Sequence, residues 1–239
     1  MECNSDRIAS GGVLLRGGVL LRRFLSLASV LAFVSLAAMP AAAQAEPHLY
    51  KNGALTPEGV KVPVLGFGTL QLENINLGLI ECHNIVSGNE ENPTGGGGAR
   101  GELEGNSAYN CNSAACESAG KTVEAFPIGL NNPKEGNWEI HMIEEPAGTF
   151  KLKLGNKEAK NSRQLKLEFK CAGIFETEFH GELKPNAKNG TSIGASPSKV
   201  EFKGPESGEM DSSIGVGCYK GKLKLMGYEG QDLITIKNP

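Results

Sequence analysis

The sequence predicts an all-β domain preceded by an N-terminal export signal. Apolar and polar residues alternate with a period of two over many short segments. Past residue 45, no window holds apolar residues at helical spacing for three turns. Glycine and proline, with 32 and 12 copies, separate the alternating segments. We expect about ten short strands in an antiparallel two-sheet β-sandwich of the jelly-roll type, with a partly closed β-barrel as the alternative.

The first 45 residues carry the features of a secretory signal peptide. Arg22 and Arg23 precede an apolar run over residues 24–38, and small residues up to Ala45 follow a proline. A positive flank, a short apolar segment and an alanine-rich cleavage site are typical of such signals. We therefore predict cleavage after Ala45 and a secreted, extracellular protein. The alternative is that residues 24–43 stay attached as a short membrane anchor.

Residues 46–239 have the length and charge of one released domain. These 194 residues are enough for a single core. They carry 20 basic and 25 acidic side chains, a net charge near −5, and their only arginines are Arg100 and Arg163. Nucleic-acid surfaces need clustered cations, and arginine in particular for bidentate phosphate contacts. The composition argues against nucleic-acid binding, and after cleavage we expect no membrane attachment.

The strand predictions follow the alternation along the chain. The clearest segment is 175–183, where Phe175, Thr177 and Phe179 share one face. Trp138 also lies in an alternating segment, so we expect it in the core rather than on a sugar-binding surface. Further strands are predicted at 61–72, 77–86, 101–109, 122–127, 138–143, 151–154, 165–171, 198–203, 222–225 and 232–237, and loops at 92–98 and 185–197.

Five cysteines follow the signal, and in an exported chain they indicate a disulfide framework. Cys111 and Cys116 are close enough in sequence to pair locally. Strand phase places Cys171 on a buried face, and Cys82 is also in phase with an apolar residue. We therefore predict a Cys82–Cys171 disulfide. Cys218 then stays free, on a lysine-rich solvated face unless a bulge intervenes, and a covalent dimer through this odd cysteine is a further hypothesis.

One strand face is a candidate binding site. Four polar side chains lie on the same side of the predicted strand, roughly 7 Å between neighbours: Glu176, Glu178, His180 and Glu182. Three carboxylates and an imidazole can hold a cation or act as acid and base on a glycan. The alternative is a solvated face, where lysines of neighbouring strands form cross-strand ion pairs. We favour the solvated face, and we keep this acidic face as the best candidate site.

Other motifs do not assemble into catalytic or metal-binding sets. Gly190–Gly194 matches the Gly-x-Ser-x-Gly pattern of serine hydrolases. However, no histidine follows it, and Pro197 interrupts the helix that this pattern requires. His141 with Glu144 and Glu145 lacks the helical zinc motif of metalloproteases. We predict no catalytic residue, no metal and no cofactor.

Four loop and turn segments are distinctive when taken together: His48–Gly53, Glu91–Gly98, Asn189–Thr191 and Leu225–Ile234. In these segments the chain resembles a group of small secreted bacterial proteins with no known function. The resemblance covers nearly all of residues 46–239 and implies a bacterial, extracytoplasmic setting. Because the shared motifs are turns rather than reactive groups, no functional residue is carried over.

These observations lead to one functional hypothesis and one alternative. We expect a secreted, disulfide-stabilised β-domain that serves as an extracellular binding or structural module without catalysis. Its partner would be an extracellular molecule or a glycan that the sequence does not specify. The alternative is a carbohydrate-binding or glycan-active protein that uses the acidic face.

Overall fold

The computed structural model describes residues 46–130, 137–145, 149–155, 164–228 and 232–238. The predicted signal peptide and Arg163 lie outside these ranges. The described residues form a four-residue helix, α1 (Ala114–Glu117), a 3-10 turn (Gly204–Ser207) and fifteen strands. The strands are β1 (His48–Lys51), β2 (Ala54–Leu55), β3 (Val62–Asn74), β4 (Gly78–Glu91), β5 (Arg100–Ser113), β6 (Glu124–Pro127), β7 (Trp138–Glu145), β8 (Thr149–Leu154), β9 (Leu165–Cys171), β10 (Phe175–Gly181), β11 (Asn186–Lys188), β12 (Ser198–Lys203), β13 (Glu209–Asp211), β14 (Gly217–Gly227) and β15 (Ile234–Lys237).

Eight strands close into a barrel. Twelve strands form one sheet in the order β12-β11-β8-β7-β5-β4-β3-β14-β13-β10-β9-β6, and a further pairing of β12 with β14 closes its first eight strands into a ring. Every ladder in the described part of this sheet is antiparallel. The all-β prediction is therefore confirmed. The closed wall agrees in part with the barrel alternative, and the strand pairing does not describe a clear two-sheet sandwich.

The barrel closes because its long strands bend sharply at glycines and bulges. At Gly68 a side chain would overlap the carbonyl oxygen of Lys222 on the next strand, and at Gly88 it would overlap that of Glu102. The ladder between β4 and β5 also shifts register twice, once beside Gly88. Bulges and inward glycines let neighbouring strands approach and coil, which curves a sheet into a barrel. Period-two alternation carries no information on this curvature, so it could not exclude the sandwich.

The remaining strands of the large sheet form an extension outside the barrel. Strand β14 pairs with β12 over Lys220–Leu225 and with β13 at Gly217 and Cys218. One edge of β14 therefore forms hydrogen bonds with a barrel strand along part of its length and with a strand of the extension at its start. From β13 the extension continues through β10 and β9 to β6. An isolated antiparallel bridge between Cys111 and Val123 connects it back to the end of β5.

A separate three-stranded sheet, which we call the end sheet, joins the two ends of the described chain. It has the order β15-β1-β2, and β1 runs antiparallel to β15. Asn92 binds it through its side chain, accepting from the amide of Leu49 at 2.7 Å and donating to the carbonyl oxygens of Leu49 and Thr56. The side chain of Asn189 bonds both backbone groups of Ile236 in the same way. Amide side chains, buried at Asn92 and exposed at Asn189, thus take the place of ladder hydrogen bonds where the two sheets meet.

The core occupies the barrel interior and the inner side of the extension. Trp138 is only 1 % exposed, and its indole N–H donates to the carbonyl oxygen of Ile128 at 3.2 Å. The prediction that this residue belongs to the core is confirmed. Strand β9 alternates strictly between buried and half-buried positions, as its sequence pattern predicted. The full burial of one leucine, isoleucine or phenylalanine side chain in this core contributes roughly 1.5 to 3 kcal/mol to the free energy of unfolding.

Two disulfides join cysteines within the described residues, but their pairing differs from the predicted one. Cys82 on β4 pairs with Cys111 on β5, and Cys116 on α1 pairs with Cys171 on β9. The predicted Cys82–Cys171 link is wrong, and the local Cys111–Cys116 link does not form. Strand phase identified buried faces correctly, but pairing depends on which strands are neighbours and in what register. That information is not present in a single strand.

The prediction of a free Cys218 is also wrong. No cysteine in the described part of the chain is free, and Cys218 is completely buried. Three consecutive residues, Gly217–Tyr219, are buried, so β14 has no solvated face at this point. The prediction assumed one solvated face for the whole strand. With Cys218 neither free nor exposed, the premise of a dimer through this residue is removed.

Within the described residues, no helix has the length and apolar character needed to cross a membrane.

Candidate functional site

The acidic face lies on the outer side of the extension. Glu176 and Glu178 are exposed on β10 and His180 is half-buried, while the intervening Thr177 and Phe179 are buried. Glu182 follows directly after the strand and is also partly exposed. Alternation along an extended strand produces this arrangement, because consecutive side chains point to opposite faces.

Lysines neutralise both ends of the acidic face. The ammonium of Lys170 lies 2.9 Å from a carboxylate oxygen of Glu176, and at the other end Lys153 and Lys184 lie 3.1 and 3.2 Å from Glu182. The hydrogen bond from Lys170 lowers the pKa of Glu176, and the same bond is the largest cause of the raised pKa of Lys170. The contacts of Lys170 and Lys153 join different strands or segments, as the solvated-face interpretation predicts, and that of Lys184 is local in sequence.

In the middle of the acidic face, the side chains of Glu178 and His180 remain available to bind other molecules. Glu178 lies opposite Glu168 on β9, and His180 lies opposite Lys166 on β9 and Asp211 on β13. Neither Glu178 nor His180 has a hydrogen bond or an ion pair within the described ranges. In those same ranges, no group of three or more acidic, cysteine or histidine side chains is arranged to hold a metal ion. Trp138 is in the core, so it does not supply a sugar-stacking ring here.

A second surface, which the sequence did not reveal, lies on the outer side of the barrel. We call it the outer strip. It consists of five side chains on adjacent positions of β3, β4 and β5: Phe67, Thr69, His83, Ile85 and Tyr109. Tyr109 and Ile85 are 44 % and 40 % exposed. Ile85 lies on β4 between β3 and β5, and Tyr109 lies on β5 beyond its pairing with β7. Large apolar groups grouped in this way on a soluble domain commonly mark a binding surface.

Contacts within the outer strip hold its rings in place. The rings of His83 and Tyr109 are stacked, with centroids 5.6 Å apart and planes 30° from parallel. Thr69 Oγ1 lies 3.2 Å from His83 Nδ1, within hydrogen-bond distance. At the other end, the ammonium of Lys224 lies 5.9 Å from the centre of the Phe67 ring. The strip is therefore an ordered aromatic surface with a cation at its edge.

Sequence reasoning missed the outer strip because its residues come from three strands. Alternation places His83 and Ile85 together on one outward face of β4. It does not place Tyr109 beside His83, which depends on the register of β4 against β5. In the described part of the chain, Tyr219 is buried and the ring that stacks with Tyr109 is that of His83.

The two other sequence motifs, the Gly-x-Ser-x-Gly pattern and the cluster around His141, do not form a catalytic set within the described residues. Ser192 lies in a tight turn, where its own amide and that of Thr191 both donate to the carbonyl oxygen of Ser196. His141 lies 3.5 Å from Glu139, a neighbour on its own strand. The side chains of Glu144 and Glu145 lie outside the described part.

Comparison with known proteins finds no matching family model, no matching curated protein and no matching solved structure.

Proposed function

We propose that this chain is a secreted β-domain that binds a partner outside the cell and catalyses no reaction, with the outer strip as its binding surface. One observation carries the proposal: Phe67, His83 and Tyr109 form an ordered aromatic surface, half-buried at Phe67 and exposed at His83 and Tyr109, on three strands that pair with one another. Aromatic side chains supply a large contact area at low conformational-entropy cost. Strands that are already ordered lose little further freedom on binding.

The surroundings of the outer strip suit a neutral or polar partner. On β14, next to β3, Lys220 pairs with Glu73 and Lys222 pairs with Glu201, so most of the positive charge beside the strip is compensated. On β3 and β4, Gln71 donates to Glu81 at 2.6 Å. Exposed rings bordered by paired amide and carboxylate groups are the kind of surface that stacks on a sugar ring and hydrogen-bonds its hydroxyls.

Secretion is part of the same proposal. Both described disulfides are buried, with Cys116 and Cys171 completely so, and structural disulfides of this kind form in oxidising compartments. Release from a bacterial cell after cleavage at Ala45 agrees with this chemistry. N-terminal sequencing of protein from the culture medium should then begin at Glu46. Protein that keeps Met1 and fractionates with membranes would favour an anchor formed by residues 24–43.

Binding to an array of immobilised glycans and to intact bacterial cells tests the outer strip. We expect Tyr109→Ala to lower binding about tenfold or more, because an aromatic anchor in the centre of an interface commonly accounts for that much affinity. Tyr228→Ala is the matched control, since Tyr228 is 64 % exposed and lies outside the strip. An equal effect of the two substitutions would contradict the assignment of the strip.

The acidic face supports a second candidate, a glycan-binding or glycan-active protein. Glu178 and His180 have no partner within the described ranges, whereas Glu176 is held by Lys170. On the same array, Glu178→Ala should abolish binding if this face is used, and Glu176→Ala is its matched control. Loss of binding with Tyr109→Ala but not with Glu178→Ala decides in favour of the outer strip.

A further inference from the structure

The barrel encloses a small cavity. Its volume is about 70 Å³, and it lies between the inward faces of the barrel strands and β9. The wall is mainly apolar and includes Val64, Leu103, Trp138, Ile140, Leu152 and Val200. Eight-stranded barrels have an interior that is either just filled by side chains or wide enough for one small ligand. Here the inward glycines Gly66 and Gly88 leave part of the interior open.

One ionisable side chain faces this apolar space. Glu90 lies near the end of β4, in phase with the inward positions Val86 and Gly88, and it is only 3 % exposed. Its carboxyl group has no hydrogen bond or ion pair within the described ranges. Burial raises its pKa to about 7, so the carboxylate is a substantial fraction of the population at neutral pH. A buried carboxyl without a partner is costly, and such groups concentrate at functional sites.

The chemistry of the cavity defines what would complement it. Among the described residues that line it there is no lysine, arginine or histidine to balance Glu90. A second acceptor, Oδ1 of Asn106, also lines the cavity and has no hydrogen-bond partner. A fitting molecule therefore donates hydrogen bonds, carries a positive charge and has an apolar body.

Size and access limit the molecule further. An engineered apolar cavity of roughly 150 Å³ binds benzene, so a cavity of about 70 Å³ holds a body of about three carbon atoms. Glu90 also borders a groove of about 240 Å³ on the outer surface, between Lys61, Arg100 and His141. Glu90 therefore lies between the cavity and the groove.

We propose that the barrel interior is a binding site for a short primary alkylamine, with the ammonium group against the carboxylate of Glu90 and the alkyl chain against the apolar wall. The ammonium supplies the charge and the donors that the cavity lacks. The alkyl chain removes the open apolar surface beside Trp138. This site is on the inner side of the wall, whereas the outer strip is on its outer side, so each can fail without the other.

The experiment uses the only tryptophan of the chain, Trp138, as its probe, because this residue lines the cavity. The purified protein is titrated with n-propylamine hydrochloride and with n-propanol, which has nearly the same size and no charge. We expect a saturable change in Trp138 fluorescence with the amine at concentrations at least tenfold lower than with the alcohol. Nuclear Overhauser effects between the propyl protons and the indole ring then place the amine inside the barrel.

Two substitutions at neighbouring positions test the role of the carboxylate. Glu90→Gln keeps the shape of the side chain, and we expect it to weaken propylamine binding at least tenfold, about the value of one charge-assisted hydrogen bond. Binding of propanol should not change. Glu91→Gln is the matched control, because Glu91 faces outward and lies near Arg100, and it should leave both titrations unchanged.

The outcomes that overturn the proposal are equally definite. If neither compound produces a saturable change in the folded wild-type protein, the interior holds water only. Equal responses to the amine and the alcohol, unaffected by Glu90→Gln, would show an apolar cavity with no amine specificity. Should Glu90→Gln fail to fold, as judged by circular dichroism, the comparison of amine with alcohol on the wild-type protein decides alone.

Discussion

The two ends of the long strands β3, β4, β5 and β14 are stabilised in different ways. At the barrel end, described strands pair continuously around the ring, and the end sheet is attached by hydrogen bonds. At the other end, which we call the disulfide end, the extension returns to β5 through a single bridge, and both described disulfides lie there. The barrel end also contains the cavity of about 70 Å³ beside Trp138.

This difference shows how the fold distributes covalent and non-covalent stabilisation. A closed ladder satisfies its own backbone groups and can leave space inside, so the barrel end accommodates a cavity and a buried acid. Strand β6 has only four residues and lies at the edge of the extension, where an open sheet is easily frayed. The Cys116–Cys171 link joins the helix after β5 to β9, the strand that pairs with β6, and so holds the extension where hydrogen bonds are few.

Removing the Cys116–Cys171 disulfide should have the largest effect on stability. The two residues are 55 positions apart, and a loop of that length corresponds to about 4 kcal/mol of unfolding free energy. The double variant Cys116→Ala, Cys171→Ala is compared with wild type by chemical denaturation. Hydrogen exchange should accelerate in β6 and β9 before the barrel strands.

The matched control for this prediction is the Cys82–Cys111 disulfide. Its residues are 29 positions apart and lie on strands that are already paired, so its removal should cost roughly 3.5 kcal/mol without selective loss of protection in the extension. If both double variants lose protection in β6 and β9 to the same degree, the two ends do not differ as described.

Glu90→Gln should have the next largest effect, and with the opposite sign. The pKa of Glu90 is raised from 4.5 to about 7 by burial, so the folded state holds this proton more tightly than the unfolded chain. The contribution of Glu90 to wild-type stability is then greatest below pH 4.5 and is lost as the pH rises through 7. The full difference corresponds to roughly 3 kcal/mol. The glutamine variant does not titrate, so its advantage should grow between about pH 5 and pH 8 and then level off.

Thermal or urea unfolding at several pH values measures this effect. Glu176→Gln is an informative control, because Lys170 lowers the pKa of Glu176 and its contribution is lost as the pH falls. This variant should gain no stability at pH 8. A Glu90→Gln variant that is no more stable than wild type at pH 8 would mean that the buried carboxyl has a partner in solution.

Asn92→Ala should have a smaller effect, confined to the barrel end. The substitution removes three side-chain hydrogen bonds to Leu49 and Thr56, and we expect a loss of about 2 kcal/mol. Protection of the amides of β1 and β15 should fall first. Asn74→Ala is the matched variant at the other end, because the Asn74 side chain also makes three hydrogen bonds, but to the turn after β3 and to Val216. It should leave β1 and β15 protected.

Much of the local structure could be predicted from the sequence. The predicted segment 198–203 coincides with β12, and the alternation in 165–171 places Leu165, Phe169 and Cys171 on a buried face as expected. These successes have a common cause, because the side-chain period of a strand depends only on the local backbone. The short strand β11 was missed, since Asn186–Lys188 lies in a polar, proline-flanked segment with no alternation.

The candidate sites differ in the same way, because one comes from a single strand and the others depend on several strands. The acidic face comes from one strand, so the sequence alone could bring its residues together. The outer strip and the unpartnered Glu90 could not be recognised in this way. Tyr109 lies beside His83 only because of the register of β4 against β5. Glu90 has no feature in the sequence that separates it from a solvent-exposed acid, and only the closed barrel places it beside the cavity.

The amino-acid order by itself determined that this domain is built of strands, which side chains of the clearest strands alternate between core and solvent, and that Cys82 and Cys171 lie on buried faces. Only the tertiary structure decided that the wall closes, which cysteines meet, and where an acid is enclosed. The physical reason is that alternation is a property of a few consecutive residues. Closure, disulfide partners and enclosed charge depend on the register between strands distant in sequence, which bulges and glycine bends determine together.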